Sequence, residues 1–226
     1  MGSAQPLQVW IDHVFDHPVS HRSWYYADDA MVTSTGEEEW PEAPETVVAH
    51  IAETFEHSGK LLSRFSDKQV DQGFWYLFYQ RPPDFMGTLL DEGVPLACRL
   101  RALRSFVPLF QQVMAVRCSS HLSHLDEEGA NPLNGACYMW FDEVLDRFQP
   151  ERLVQAQLET ELIETLRVIL AIPHDACRES ALHGIGHWVR HYPQLADMAD
   201  QFLSSTPDLR PELIAYAEAA RAGKVQ

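Results

Sequence analysis

The chain has 226 residues, 46% of them hydrophobic, which suffices to bury a core in one large domain or in one domain with an appended arm. Its 17 basic residues face 33 acidic ones, a net charge of −16, which argues against nucleic acid as a partner because binding would work against phosphate repulsion. No apolar run reaches the roughly 18 residues of a membrane span, and the first residues lack the basic region and apolar stretch of a secretory leader; the expectation is a cytoplasmic protein that engages no membrane.

Taken in chain order, residues 1 to 41 differ from the rest. Trp10, Phe15, Trp24, Tyr25, Tyr26 and Trp40 sit among Asp, His and Pro with no helical or alternating period. Their aromatic content suggests an arm packed on a body formed by residues 42 to 226, and Glu37, Glu38 and Glu39 read as a solvated loop. From residue 42 onward helix follows helix, starting with about 43 to 57. Ser66 with Gln69 three positions later forms a capping box, and Phe65 with Val70 occupies the positions of a hydrophobic staple. "GFWYLFY", residues 73 to 79, is apolar almost all round and reads as a central core helix. After a short helix at 84 to 91, Leu96, Leu100, Leu103, Val107, Phe110 and Met114 mark the stripe of one long helix, which Pro108 should kink. Further helices are expected at 136 to 148, then from Pro150 to Pro173 with Val154, Leu158, Leu162, Leu166 and Ile169 inward, and at 175 to 191, 193 to 205 and 209 to 222. No stretch alternates with period two for long enough to form a strand. The fold class is all-α, and short connections favour antiparallel neighbours.

At "PHDACRESALHGIGHW" the chain resembles the HEAT-like repeat, in the form where an Asp and an Arg precede a helix reading AxxxLGxxG. Asp175, Arg178, Ala181, Leu182, Gly184 and Gly186 match approximately, both glycines being shifted, and "YPQLADMADQFLSS" would be the following helix. The resemblance covers this segment only and implies an irregular HEAT-like α-solenoid of stacked antiparallel helical hairpins. The whole chain, notably "RCSSHLSHLDEEGANPLNGACYMWFD", is also similar to bacterial proteins without an assigned activity. HEAT-like proteins are mainly protein-binding scaffolds; their metal-dependent members use paired His-Glu motifs, and the dipeptide His-Glu does not occur here.

Two segments hold candidate chemistry. His183, His187 and His191 recur every four residues, and at 100° per residue they fall opposite Leu182, Ile185, Trp188, Val189 and Tyr192. They read first as an outward polar contact face. Two histidines at i and i+4 also suit a shared metal, although the Glu of an HExxH motif is missing; Glu179, one turn before His183, is available as a ligand or as an orienting partner. The second segment is "CSSHLSHLDEEGANPLNGAC". Cys118, His121, His124 and Cys137 offer zinc-ligand types at an unusual spacing. The simpler reading is a long ordered loop with turns at Asp126, Asn131 and Asn134, a polar loop suited to contact with a partner. Cys98, Cys118, Cys137 and Cys177 form no CxxC pair and read as small buried side chains. Arg99, Arg101, Arg104 and Arg117 are expected to pair with neighbouring acids.

No GxSxG, phosphate-binding loop or dinucleotide fingerprint is present, which favours a binding protein over an enzyme. The function expected is non-enzymatic: a bacterial inhibitor or immunity-type protein that covers a basic protein partner with its acidic surface, through His121, His124, Asp126, Asn131, Asn134, His183, His187 and His191. No cofactor is required by that reading. The alternative is a metal-dependent enzyme or metal-stabilised sensor that holds zinc or another divalent ion with the His-rich helix and the 118 to 137 segment. Metal content separates the two readings, and a composite site becomes plausible where the two His-rich segments meet in space.

Overall fold

A computed structural model describes residues 6–19, 24–26, 42–80, 84–148 and 155–225, and all regular structure among them is helical. The helices are α1 (Leu7–Phe15), α2 (Pro44–Glu56), α3 (Ser58–Leu61), α4 (Asp67–Phe78), α5 (Leu96–Arg104), α6 (Phe106–Leu109), α7 (Ala115–Arg117), α8 (Leu133–Leu145), α9 (Ala156–Leu170), α10 (Asp175–Trp188), α11 (Gln194–Ser205) and α12 (Pro211–Arg221).

The local signals explain several boundaries. Pro44 opens α2, where its missing N–H costs no helical bond. Ser66 Oγ accepts from the Gln69 amide while Gln69 accepts from the Ser66 amide, which completes the capping box of α4. Leu158, Leu162, Leu166 and Ile169 of α9 are fully buried, and the helix stops at Leu170 before Pro173.

Three sequence expectations change. The N-terminal segment does contain a helix: α1 buries Trp10, Ile11, Val14 and Phe15 at the three-and-four spacing that the scattered polar residues obscured. The segment 84 to 91 forms only a 3-10 turn, Met86–Leu90. The long helix is broken at Ser105 and continues through α6, a π-helical turn over Phe110–Met114, and α7. Pro108 has no N–H to give the Arg104 carbonyl, so the backbone departs from regular α geometry around it. The segments with Glu37, Glu38, Glu39 and Trp40, and with Val154, lie outside the described residues.

Trp140 of α8 occupies the centre. It has no exposed surface and is met at 5.1 to 5.8 Å by the rings of Phe55, Phe74, Phe78, Phe106 and Phe110, all but the Phe55 contact close to edge-to-face. Helices α2, α4, α8 and the broken segment therefore share one aromatic core, each ring pair adding about 0.5–1.5 kcal/mol to plain burial. Beside it, α10 packs against α8, α9, α11 and α12. Gly184 permits the α8 approach, since a Cβ there would stand 2.7 Å from Phe141 Cβ.

The arginines behave as expected at three positions. Arg101 meets Glu53 and Glu56, Arg104 meets Glu161, and Arg117 meets Asp67 and the carbonyls of Leu62 and Phe65. Arg99 is buried instead, and its Nε has no hydrogen-bond partner.

Candidate metal centre

Because α10 is crossed by α8 on one side and α12 on another, it is buried almost all round from Ala176 to Gly186, with Arg178 half-buried. The expectation of an outward histidine face fails at His183 and holds for His187 and His191. His183 is 1% exposed, and of the three histidines only His187 and His191 reach the surface.

The loop 118 to 135 is built to reach this helix. Asn134, itself buried, accepts the Ser119 amide at 3.0 Å and donates to the carbonyls of Ser119 and His121. Asn131 donates to Asp67 at 2.7 Å, and the Leu122 amide donates to Glu127, which Arg210 holds in turn. Asp126 adopts the left-handed conformation (φ 51°) that reverses the chain after the turn Ser123–Leu125. Asn134 and Asn131 thus fold the loop rather than face a partner.

The turn delivers His124 to Glu179. The fully buried carboxylate accepts the amides of Ser123 (2.9 Å) and His124 (3.0 Å) and lies 2.6 Å from His124 Nδ1. Burial pushes the Glu179 carboxyl above the usual range, and these three donors oppose that shift. Glu179, available one turn before His183, is taken up by Ser123 and His124 instead and holds the loop.

His124 stacks on the Tyr216 ring at 4.1 Å. The Tyr216 hydroxyl lies 2.7 Å from His183 Nδ1 and 3.0 Å from the Tyr138 hydroxyl. The far side of His183, its Nε2, stands 3.2 Å from His187 Nε2, and His187 Nε2 stands 3.2 Å from Asp142 Oδ1. The ligand atoms of Asp142, His183 and His187 all lie within 4.8 Å of one another. Tyr138 and Asp142 are four residues apart on α8, as His183 and His187 are on α10, so two i,i+4 faces meet.

His183 is neutral at physiological pH: burial first, then His187 and His124, push it down to about 3. The tautomer that donates Nδ1–H to Tyr216 leaves the Nε2 lone pair facing His187. Burial raises the Asp142 carboxyl, His187 opposes that rise, and Asp146 adds to it.

The set Cys118, His121, His124 and Cys137 is not brought together. His121 Nδ1 meets Ser119 Oγ at 2.8 Å, His124 goes to Glu179, and Cys137 directs its sulfur at the Ala176 carbonyl, between Cys118 and Cys177. Burial and its two thiol neighbours push the Cys137 thiol up, and Cys137 with His174 holds the Cys177 thiol down.

Sequence reasoning found His183 and His187 but missed Asp142, Tyr138 and Tyr216. In "ACYMWFDEVL" and "ELIAYAEAA" these look like ordinary half-exposed helix positions, and only an i,i+4 search for a carboxylate partner would have raised Asp142. Comparison with family models, with curated proteins and with solved structures gives no match, so what the site does is argued from its own geometry.

Proposed function

We propose that the protein binds one divalent metal ion of the zinc type through Asp142, His183 and His187. The observation that supports this reading is the position of His187 Nε2, 3.2 Å from both His183 Nε2 and Asp142 Oδ1. In a tetrahedral zinc shell with bonds of about 2.0–2.1 Å, neighbouring ligand atoms stand about 3.3–3.4 Å apart. A lone N–H on His187 points at one of these two acceptors and leaves the other to solvent or to a cation. A cation among the three satisfies all of them at once. Tyr216 fits the same reading, because metal-bound imidazoles commonly donate their second N–H to a fixed partner.

The test is elemental analysis and zinc titration by calorimetry on protein prepared without a histidine tag. One ion per chain, lost in His187→Ala, is the expected result. A titration without stoichiometric heat, together with metal-free protein, refutes the proposal.

The acidic surface supports a second reading, that of an inhibitor or immunity-type protein that covers a basic partner. Arg64, Arg101, Arg104, Arg117, Arg147, Arg167, Arg178, Arg210 and Arg221 are all ion-paired with carboxylates, so the surplus acid is left to face solvent. In this reading the helices stack in HEAT-like fashion, with α9–α10 and α11–α12 as consecutive packed pairs. Co-purification of a stoichiometric basic protein from the native host at low salt is expected, and its absence counts against this reading.

A further inference from the structure

Asp142 and His187 also line a cleft of about 190 Å³, walled by Phe148 and Trp188 and rimmed by Asp146 and His191. At about 30 Å³ per water, it has room for about six waters, or one small ring. His183 lies behind the site, against Tyr216 and Tyr138, while His187 and Asp142 keep 36% and 22% of their side chains exposed toward solvent. The centre therefore has a closed back and an open front.

We infer that the centre keeps one coordination position open on this cleft, and that the cleft admits a small, uncharged nitrogen or oxygen donor. This inference rests on the metal reading above. Structural zinc sites close their shell with four protein ligands, whereas sites that bind an exogenous ligand use three and leave one position free. Three ligating groups converge here among the described residues.

The walls define the ligand. Phe148 and Trp188 meet edge to face at 5.7 Å and are almost wholly buried, so they close the floor of the cleft and leave its accessible lining mainly to Asp142, Asp146, His187 and His191. A divalent cation with the carboxylates of Asp142 and Asp146 sums to zero charge, and no Lys or Arg among the described residues lines the cleft. A phosphate or sulfate has no net attraction there. An uncharged donor loses nothing by entering, and His191 at the rim offers it a hydrogen bond.

The full chain loaded with Co²⁺ tests this, because the visible bands of cobalt respond to a change in its ligands. Imidazole is the probe. The expected result is a saturable shift of the cobalt bands with cobalt retained on dialysis, and no shift with phosphate at the concentration that saturates the imidazole response. In Asp146→Asn, an exposed position whose replacement spares the core, the cleft becomes net positive and phosphate produces a shift as well. If cobalt binds but imidazole leaves the bands unchanged or strips the metal, the open position is refuted and the metal reading stands. If phosphate shifts the bands of the unsubstituted chain as readily as imidazole, the ligand class is refuted. If cobalt does not bind, both readings fall.

Discussion

The Glu179 carboxylate lies 2.6 Å from His124 Nδ1 across 55 residues of chain, and through it the polar loop 118 to 135 is fixed to the helix that carries His183 and His187. This contact joins the two His-rich segments into one unit. It places His124 against Tyr216, and Tyr216 sets the orientation of His183.

Glu179→Ala should lower the unfolding free energy by about 3 kcal/mol, because it leaves His124 and two amides of the loop without their acceptor. Glu179→Gln keeps an acceptor for one amide and should cost less. Urea denaturation gives both values, and limited proteolysis within 126 to 130 should quicken in the alanine variant. Equal stability of the alanine variant and the parent would contradict the assignment of Glu179 as the anchor of the loop.

Tyr216→Phe retains the ring stacked on His124 and removes the hydroxyl that faces His183 Nδ1. Zinc affinity should fall by about 10- to 100-fold, the usual effect of deleting a partner of a metal-bound histidine. Calorimetric titration of the two proteins side by side decides this, and unchanged affinity would remove Tyr216 from the support of the site.

Zinc binding should stabilise the native chain. At free zinc about 100 times the dissociation constant, linkage adds about 2.7 kcal/mol, which a chelator should abolish and His187→Ala should never show. Thermal unfolding with and without chelator reads the effect directly.

Gly184 and Gly135 should respond in opposite directions to alanine. At Gly184 the new Cβ meets Phe141 Cβ at 2.7 Å and Leu166 Cδ2 at 2.9 Å, an overpacking that costs about 1–3 kcal/mol. At Gly135, in the first turn of α8, nothing lies within 4 Å, and alanine should stabilise by about 0.5–1 kcal/mol. Urea midpoints that move together would show that α8 and α10 are not in close approach at Gly184.

Acid should destabilise the fold through His13. Burial, with His17 nearby, pushes its pKa down to about 4, against roughly 6.5 in the unfolded chain. The unfolded chain takes up this proton first, so the stability present above pH 6.5 is lost between 6.5 and 4. Asp71 works in the other direction. Burial raises it to about 6 despite the Trp75 indole N–H at 3.1 Å, so the folded state binds its proton first and gains stability as pH falls below 6. Asp71→Asn removes that opposing contribution, and its stability should fall more steeply than the parent's between pH 6 and 4. A series of urea midpoints against pH measures the slopes, and parallel curves would contradict the balance.

The helices of the body follow from local rules that the amino-acid order contains. The capping box at Ser66 and Gln69, the stripe of α9 and the stop before Pro173 depend only on neighbours within a few residues, and these elements form where the pattern places them. Helix α1 escaped because its apolar spacing spans only nine residues among His, Asp and Pro, too short for a period to stand out.

The candidate site was half legible for the same reason. The i,i+4 pair His183 and His187 is a local feature, but helical angle alone put both on an outer face. Whether a side chain is buried depends on what crosses the helix, and α8 and α12 come from distant stretches of the chain, 133–145 and 211–221. Their crossing, permitted on the α8 side by Gly184, buried His183, supplied Asp142 and Tyr216, and turned Glu179 toward a loop that sequence distance gave no reason to place there. The amino-acid order by itself determined an all-helical chain with two His-rich segments. The tertiary structure decided that they pack against each other through Glu179 and that Asp142 joins His183 and His187, because convergence of side chains is a property of packing between distant segments and leaves no periodic trace in the chain.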